Sequence, residues 1–138
     1  MITSGLQDYI ELIYNSSSNN INIKAVDIAN HFKISRASVS EALIRLADLD
    51  LIVYEGRKGI KITEKGEKEA KNILKKHLIL EKFFNEVLEV SSEISSKNAC
   101  RIEHVIDEEL IDKIEDFTDF YLKNVKDSKI RKSELWIL

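Results

Sequence analysis

Residues 24–63 read KAVDIANHFKISRASVSEALIRLADLDLIVYEGRKGIKIT, and this stretch decides the fold. Its first nine residues place Val26, Ile28, Ala29 and Phe32 at the spacing of one helical face, which predicts a short amphipathic helix over 24–32. A tight turn is expected at Lys33-Ile34. Ser35 can cap a following helix by accepting from a first-turn amide. Val39, Leu43 and Leu46 then supply the buried stripe of a longer helix running to about Leu49. Leu51–Glu55 and Ile60–Thr63 are β-prone runs on either side of Gly56-Arg57-Lys58-Gly59, the pattern of a hairpin with a basic tip.

Upstream, residues 3–15 predict a first helix buried through Leu6, Ile10, Leu12 and Ile13, and the polar run Asn15–Asn20 predicts a turn. Helix, short helix, turn, longer helix and hairpin is the order of a winged helix-turn-helix. Downstream, a charged helix is expected from Glu64 toward Leu88, anchored by Leu74, Leu78, Phe83, Phe84 and Leu88. Ser91–Ser96 reads as a polar break, with further helices from about Ser96 and from Asp107 through Val125. The tail Leu135-Trp136-Ile137-Leu138 is too apolar to be left in water without a reason. The expected architecture is mainly α with a small β-wing: a winged helix-turn-helix over 1–70, then a helical domain over 71–138.

Composition agrees with a mostly helical globular chain: 138 residues, 43% hydrophobic and 33% charged, with four glycines and no proline. A net charge of −3 argues against an indiscriminate polyanion binder, but not against cations grouped on one surface. The first 63 residues are neutral, with seven Lys/Arg against seven Asp/Glu. One cysteine cannot close an intramolecular disulfide, and a lone thiol beside Glu and His suits a reducing compartment. Asp8 and Glu11 stand where a signal peptide needs an apolar core, and no apolar run approaches membrane length. A cytoplasmic protein without a membrane partner is expected.

The chemistry concentrates in Asn98-Ala99-Cys100-Arg101-Ile102-Glu103-His104-Val105. On a continuous helix, Cys100, Glu103 and His104 stand at i, i+3 and i+4 and can converge on one point. Thiolate, carboxylate and imidazole are good ligands for a divalent transition metal. Asp8 and Glu11, at i,i+3, and His77 are further candidate ligands. The set spans most of the chain, so a metal taken by all of it would tie distant parts together, as a switch does. His31 reads as a helix-surface residue with no metal role.

With Asp8-Tyr9-Ile10-Glu11, the helix-turn-helix, the Gly-flanked wing, His77 with Glu81, and Ala99–Val105 taken together, the chain resembles the diphtheria-toxin-repressor family of metal-activated transcriptional repressors. The resemblance covers nearly its whole length. The short two-domain form and Asp8 are similar to the manganese-transport-regulator branch, while Cys100 is similar to the iron-type members. Ser96 falls where iron-type members place a histidine of their second site.

This resemblance implies a homodimeric repressor of metal-homeostasis genes that binds operator DNA when loaded with metal. The implied ligands are Asp8, Glu11, His77, Glu81, Cys100, Glu103 and His104. Fe²⁺ is the expected metal and Mn²⁺ the next. Ser35, Ala37 and Glu41 would face base edges, with Arg36, Ser38, Ser40 and Arg45 on phosphates. Arg57, Lys58 and Lys61 would hold the backbone or minor groove from the wing. Phe83, Phe84 and Leu88 are expected at the dimer surface, with Trp136 a possible addition. Two other classes stand beside this reading: a winged-helix regulator answering to a small organic ligand, and a metallohydrolase using a metal-adjacent Glu as base. No recognisable catalytic signature favours the latter, so a non-enzyme is expected.

Overall fold

The computed structural model describes residues 2–126, so the apolar tail with Trp136 lies outside the described residues. The described residues form two compact units that divide between Leu74 and Lys75. The first contains helix α1 (Ser4–Ser18), α2 (Ala25–Phe32), α3 (Arg36–Asp48), strands β1 (Ile52–Tyr54) and β2 (Ile60–Ile62), and the start of α4 (Glu64–Lys82). The second contains the rest of α4, a π-helical turn (Phe83–Val87), α5 (Ser92–Ile102) and α6 (Glu108–Asn124).

Each helix of the first unit turns an apolar stripe inward. Leu6, Ile10 and Ile13 of α1, Ile28 and Ala29 of α2, and Val39, Leu43 and Leu46 of α3 share one buried core with Leu51, Ile52, Ile60, Ala70 and Ile73. Thr3 opens α1, its hydroxyl accepting the Leu6 amide at 3.3 Å. The α1 helix passes through Asn15 to Ser18, beyond the end expected at residue 15. Weak helix formers are tolerated there because the end is closed locally: Asn19 donates from its backbone and side chain to the Asn15 carbonyl, and Asn20 turns left-handed. In α2, Asp27 reaches back to accept the Lys24 amide at 2.9 Å, and Lys33 at φ 57° stops the helix. Val26, expected in the buried stripe, is exposed. Tyr9 packs on Phe32 at 5.0 Å between ring centroids, and burial raises its phenol above the ordinary value of 10.0.

The wing is an antiparallel pair in the register Ile52↔Ile62, Val53↔Lys61 and Tyr54↔Ile60. Alternation puts Ile52 and Ile60 in the core and Val53 and Lys61 in solvent. The basic tip is a 3₁₀ turn over Gly56–Lys58. Gly59, at φ 102°, holds a backbone conformation that L side chains rarely adopt, and a Cβ there would also displace the Asn22 side chain.

Behind the wing, Thr63 caps α4. Its hydroxyl donates to the Asp50 carbonyl at 2.6 Å and accepts the Gly66 amide at 3.0 Å, while Lys65 donates to the Leu49 carbonyl at 2.9 Å. A Cβ on Gly66 would strike the Leu51 carbonyl oxygen, so backbone would have to move. Gly66→Ala is therefore expected to destabilise the first unit by about 1–3 kcal/mol despite its helix-favouring residue, as checked by urea unfolding.

In the second unit Ile79, Leu80, Ala99 and Ile111 form the core, packed by Phe84, Ile102, Ile106 and Ile114. The long charged helix is rotated from its expected setting, leaving Leu74 and Leu78 at 42% and 55% exposed. Ala70, Ile73 and Leu80 form a competing apolar stripe on the same helix and are the buried one, a choice that periodicity alone does not make. The Phe83–Val87 turn closes with a Leu88 amide to Phe83 carbonyl bond at 3.2 Å. Ser91 caps α5 with its hydroxyl, so the helix starts at Ser92 within the expected polar break.

Candidate metal centre and nucleic-acid interface

Four of the expected donors meet within the second unit. His77 lies on α4, with Glu81 one turn later at 2.7 Å from its Nε2. The other ring nitrogen, Nδ1, faces Glu103 Oε2 at 2.8 Å. His104 Nε2 lies 3.7 Å from the second oxygen of Glu103. The side chain of Glu103 is 1% exposed.

Local chain geometry brings these groups together. The α5 helix ends at Ile102, short of the continuous helix expected through His104, because Glu103 is its C-cap and the chain turns at 103–105. The Glu103 amide still bonds to the Ala99 carbonyl at 2.9 Å, which keeps Glu103 facing the α4 side of its unit. Burying a carboxylate is costly unless it is paired and hydrogen-bonded. Here a buried carboxylate lies between two imidazoles, and one imidazole has carboxylate oxygens against both nitrogens. That concentration of donors and negative charge is favourable for a divalent cation, so the residues present fit a metal. Asp8 and Glu11 stand one turn apart on α1 of the first unit, both half-buried. Cys100 is exposed on α5. His31 is exposed and packs edge-on to Phe32 at 4.9 Å.

In the first unit, Arg36, Ala37, Ser38, Glu41 and Arg45 of α3 are exposed and Ser40 is half-buried. The Ser35 hydroxyl caps α3 by accepting the Ser38 amide at 3.2 Å and donates to Ser38 Oγ at 2.9 Å. Glu41 and Arg45 form an exposed i,i+4 ion pair at 3.9 Å, weak in water and readily exchanged for another partner. Arg57, Lys58 and Lys61 are exposed on the wing. A cleft of about 490 Å³ is lined by Arg36 and Ser40 of α3 and by Tyr54, Gly56 and Arg57 of the wing. Lys24, Ala25 and Val26 at the start of α2 line it too. Lys24 and Tyr54 were not among the residues expected from sequence. The one available signal was a lysine directly preceding a short helix.

A winged helix-turn-helix with exposed cations, followed in the chain by a helical unit with clustered His and Glu donors, defines the class of metal-responsive DNA-binding regulators. Comparison with known proteins narrows the class. The model of the iron dependent repressor N-terminal DNA binding domain matches residues 1–60. That of the iron dependent repressor metal binding and dimerisation domain matches residues 63–132. The chain belongs to the iron-dependent repressor family.

Among its relatives is an uncharacterised helix-turn-helix-type transcriptional regulator of Methanocaldococcus jannaschii. The two are 32% identical over 90% of this chain and 100% of that one. The regulator MntR of Bacillus velezensis is 30% identical over 98% of this chain and 92% of its own length. The solved manganese regulator SloR superposes with a TM-score of 0.72 at 25% identity, covering 83% of this chain. This chain spans about half the length of that protein (54%). Among the described residues no helix is long and apolar enough to cross a membrane.

Proposed function

We propose that this protein is a metal-activated, sequence-specific transcriptional repressor of metal-homeostasis genes that binds operator DNA as a homodimer. The observation that carries this reading is the buried Glu103 between His77 and His104, in a chain whose first unit is a winged helix-turn-helix. The proposed ligands are Glu103, His77, His104 and Glu81, with Asp8, Glu11 and Cys100 completing the set. Bound there, the metal supplies positive charge that offsets the clustered carboxylates. Asp8 and Glu11 belong to one unit and the other donors to the second, so metal ligation and DNA binding are thermodynamically linked. Ligands must be deprotonated to bind, so activation weakens in acid.

On the DNA side, α3 is the recognition helix. Ala37 contacts a thymine methyl and Glu41 accepts from a cytosine amino group, while Ser35 lies close to the base edges. Arg36, Ser38, Ser40 and Arg45 hold phosphates, joined by Arg57, Lys58 and Lys61 of the wing. The second copy docks on α6. That helix buries Ile111, Ile114, Thr118 and Tyr121 on one side and turns Leu110, Phe117 and Phe120 outward. Phe83, Phe84 and Leu88, the surface expected from sequence, are half-buried, and Phe84 packs on the unit's own core.

Fluorescence anisotropy on DNA from the gene's upstream region tests the function. Binding that appears with Fe²⁺ or Mn²⁺ and vanishes with chelator supports it. Equal binding with chelator removes the metal switch and favours an organic effector.

Fe²⁺ is the first effector in this reading and Mn²⁺ the second. A thiolate ligand favours iron and later metals, whereas carboxylates suit manganese, the metal in the name of the solved relative. Cys100→Glu is accordingly expected to shift the ratio of Mn²⁺ to Fe²⁺ response toward Mn²⁺ by roughly tenfold or more, read from metal titrations of DNA binding. An unchanged ratio would remove Cys100 from the ligand set.

A further inference from the structure

Lys76 stands next to His77 on α4, its side chain only 15% exposed, and its ammonium lies 3.0 Å from Glu108 Oε1. Glu108 is the first residue of α6. The other lysine–acid pair from α4 to α6, Lys82 with Asp119, is looser at 4.0 Å and more open to water. Glu108 directly follows the turn 103–107, which presents Glu103 and His104. That turn is tied at its start by backbone bonds. The Glu103 amide donates to the Ala99 carbonyl at 2.9 Å, and the Val105 and Ile106 amides both donate to the Ile102 carbonyl at 3.0 Å.

An acid in the first turn of α6 is favoured by the helix dipole whatever it faces, and Glu109 serves that purpose equally. The dipole does not account for an enclosed lysine aimed at Glu108, since an ammonium is costly to enclose without a counter-charge. The pair joins the residue before His77 to the element that follows Glu103 and His104. The carboxylates of Glu81 and Glu103, gathered on the two nitrogens of His77, repel one another and tend to spread while no cation lies between them. With backbone bonds at the α5 end of the turn and the ion pair at its α6 end, Glu103 has little freedom to leave His77.

We propose that the Lys76–Glu108 ion pair is a clasp that holds the Glu103–His104 turn against α4 and keeps the donor cluster assembled before metal arrives, with Lys76 a positioning residue and not a ligand. This rests on the metal-site reading above. A site that is assembled only part of the time loses affinity in proportion to its competent fraction. Charge alone acts in the opposite direction. An ammonium beside the site repels an incoming cation, so removing it without moving anything else would tighten metal binding.

Lys76→Met is the diagnostic variant, because it removes the charge and keeps an apolar stem in the enclosed position. Co²⁺ would be titrated anaerobically into the full chain without DNA and followed by its visible absorption. The expected result is an affinity weaker by roughly three- to tenfold, as the competent fraction falls by that factor. The spectrum at saturation should match the parent's, since the ligands are the same. Lys76→Arg should keep the parental affinity. Glu108→Gln, at the exposed end of the pair, should weaken binding as Lys76→Met does, and the double variant should be no weaker than either single one, as for two residues acting as a unit. The urea midpoint of the metal-free chain should barely move, because the clasp opens locally. Unchanged or tighter Co²⁺ binding in Lys76→Met would overturn the clasp while leaving the metal site in place. No Co²⁺ absorption in the unsubstituted chain would overturn the metal-site reading itself.

Discussion

Glu103→Gln is expected to abolish metal-dependent DNA binding while leaving a folded protein. Glu103 is the hub of the donor cluster: it faces His77 at 2.8 Å with one oxygen and His104 at 3.7 Å with the other. Glutamine keeps the shape and one acceptor oxygen for the His77 ring but removes the charge. In the metal-free protein this exchange is mild, since a buried charge disappears together with its desolvation cost. With metal at the proposed site it would replace an anionic ligand by a neutral one. Loss of outer-shell partners alone typically weakens metal sites 10- to 100-fold, so losing a buried carboxylate ligand should cost at least about 100-fold. DNA affinity in saturating Fe²⁺ or Mn²⁺ should then fall to the value seen with chelator. Circular dichroism of the metal-free variant separates this from unfolding, and a normal metal response would remove Glu103 from the site.

The second large effect concerns α6. Phe117 and Phe120 are 46% and 58% exposed, and with Leu110 they give the helix an apolar face that its own core does not use. In a two-fold interface each residue counts twice. Fully burying an aromatic contributes about 1.5–3 kcal/mol, and roughly half of each ring remains to be covered. Four half-rings thus contribute on the order of 3–6 kcal/mol, a factor of 10²–10⁴ in dimer affinity. The double variant Phe117→Asp/Phe120→Asp is expected to sediment as a monomer at micromolar concentration, and the parent as a dimer. It should also lose operator affinity, because one recognition helix is left to do the work of two. A dimeric variant would place the interface elsewhere.

Much of the first unit was legible because its signals are local. Ser35 followed by Val39, Leu43 and Leu46 marks a capped helix with one buried face. Ile52 and Ile60 across a Gly-flanked basic tip mark the wing. Other features depended on partners far away in sequence. The α4 helix carries two apolar stripes, and which is buried depends on what packs against Ile73 and Leu80. The α5 helix stops at Ile102 although Cys100, Glu103 and His104 have helical spacing, since a helix end is set by its cap and the next element. The His77–Glu103 contact spans 26 positions and could be expected only from residue chemistry and a family resemblance. Lys24 left only the weak signal of a lysine directly preceding a short helix, because its place beside the same cleft as Arg36 and Arg57 is set by packing between separate elements.

The central claim is that metal and DNA binding are coupled, and linkage makes that claim measurable from the metal side. Anaerobic calorimetry would give the affinity of the full chain for Fe²⁺, and then for Mn²⁺, without and with saturating operator duplex. Coupling of about 1–3 kcal/mol predicts metal affinity 5- to 150-fold tighter on DNA, matching the factor by which the same metal tightens DNA binding. Equal metal affinity with and without DNA would contradict the account.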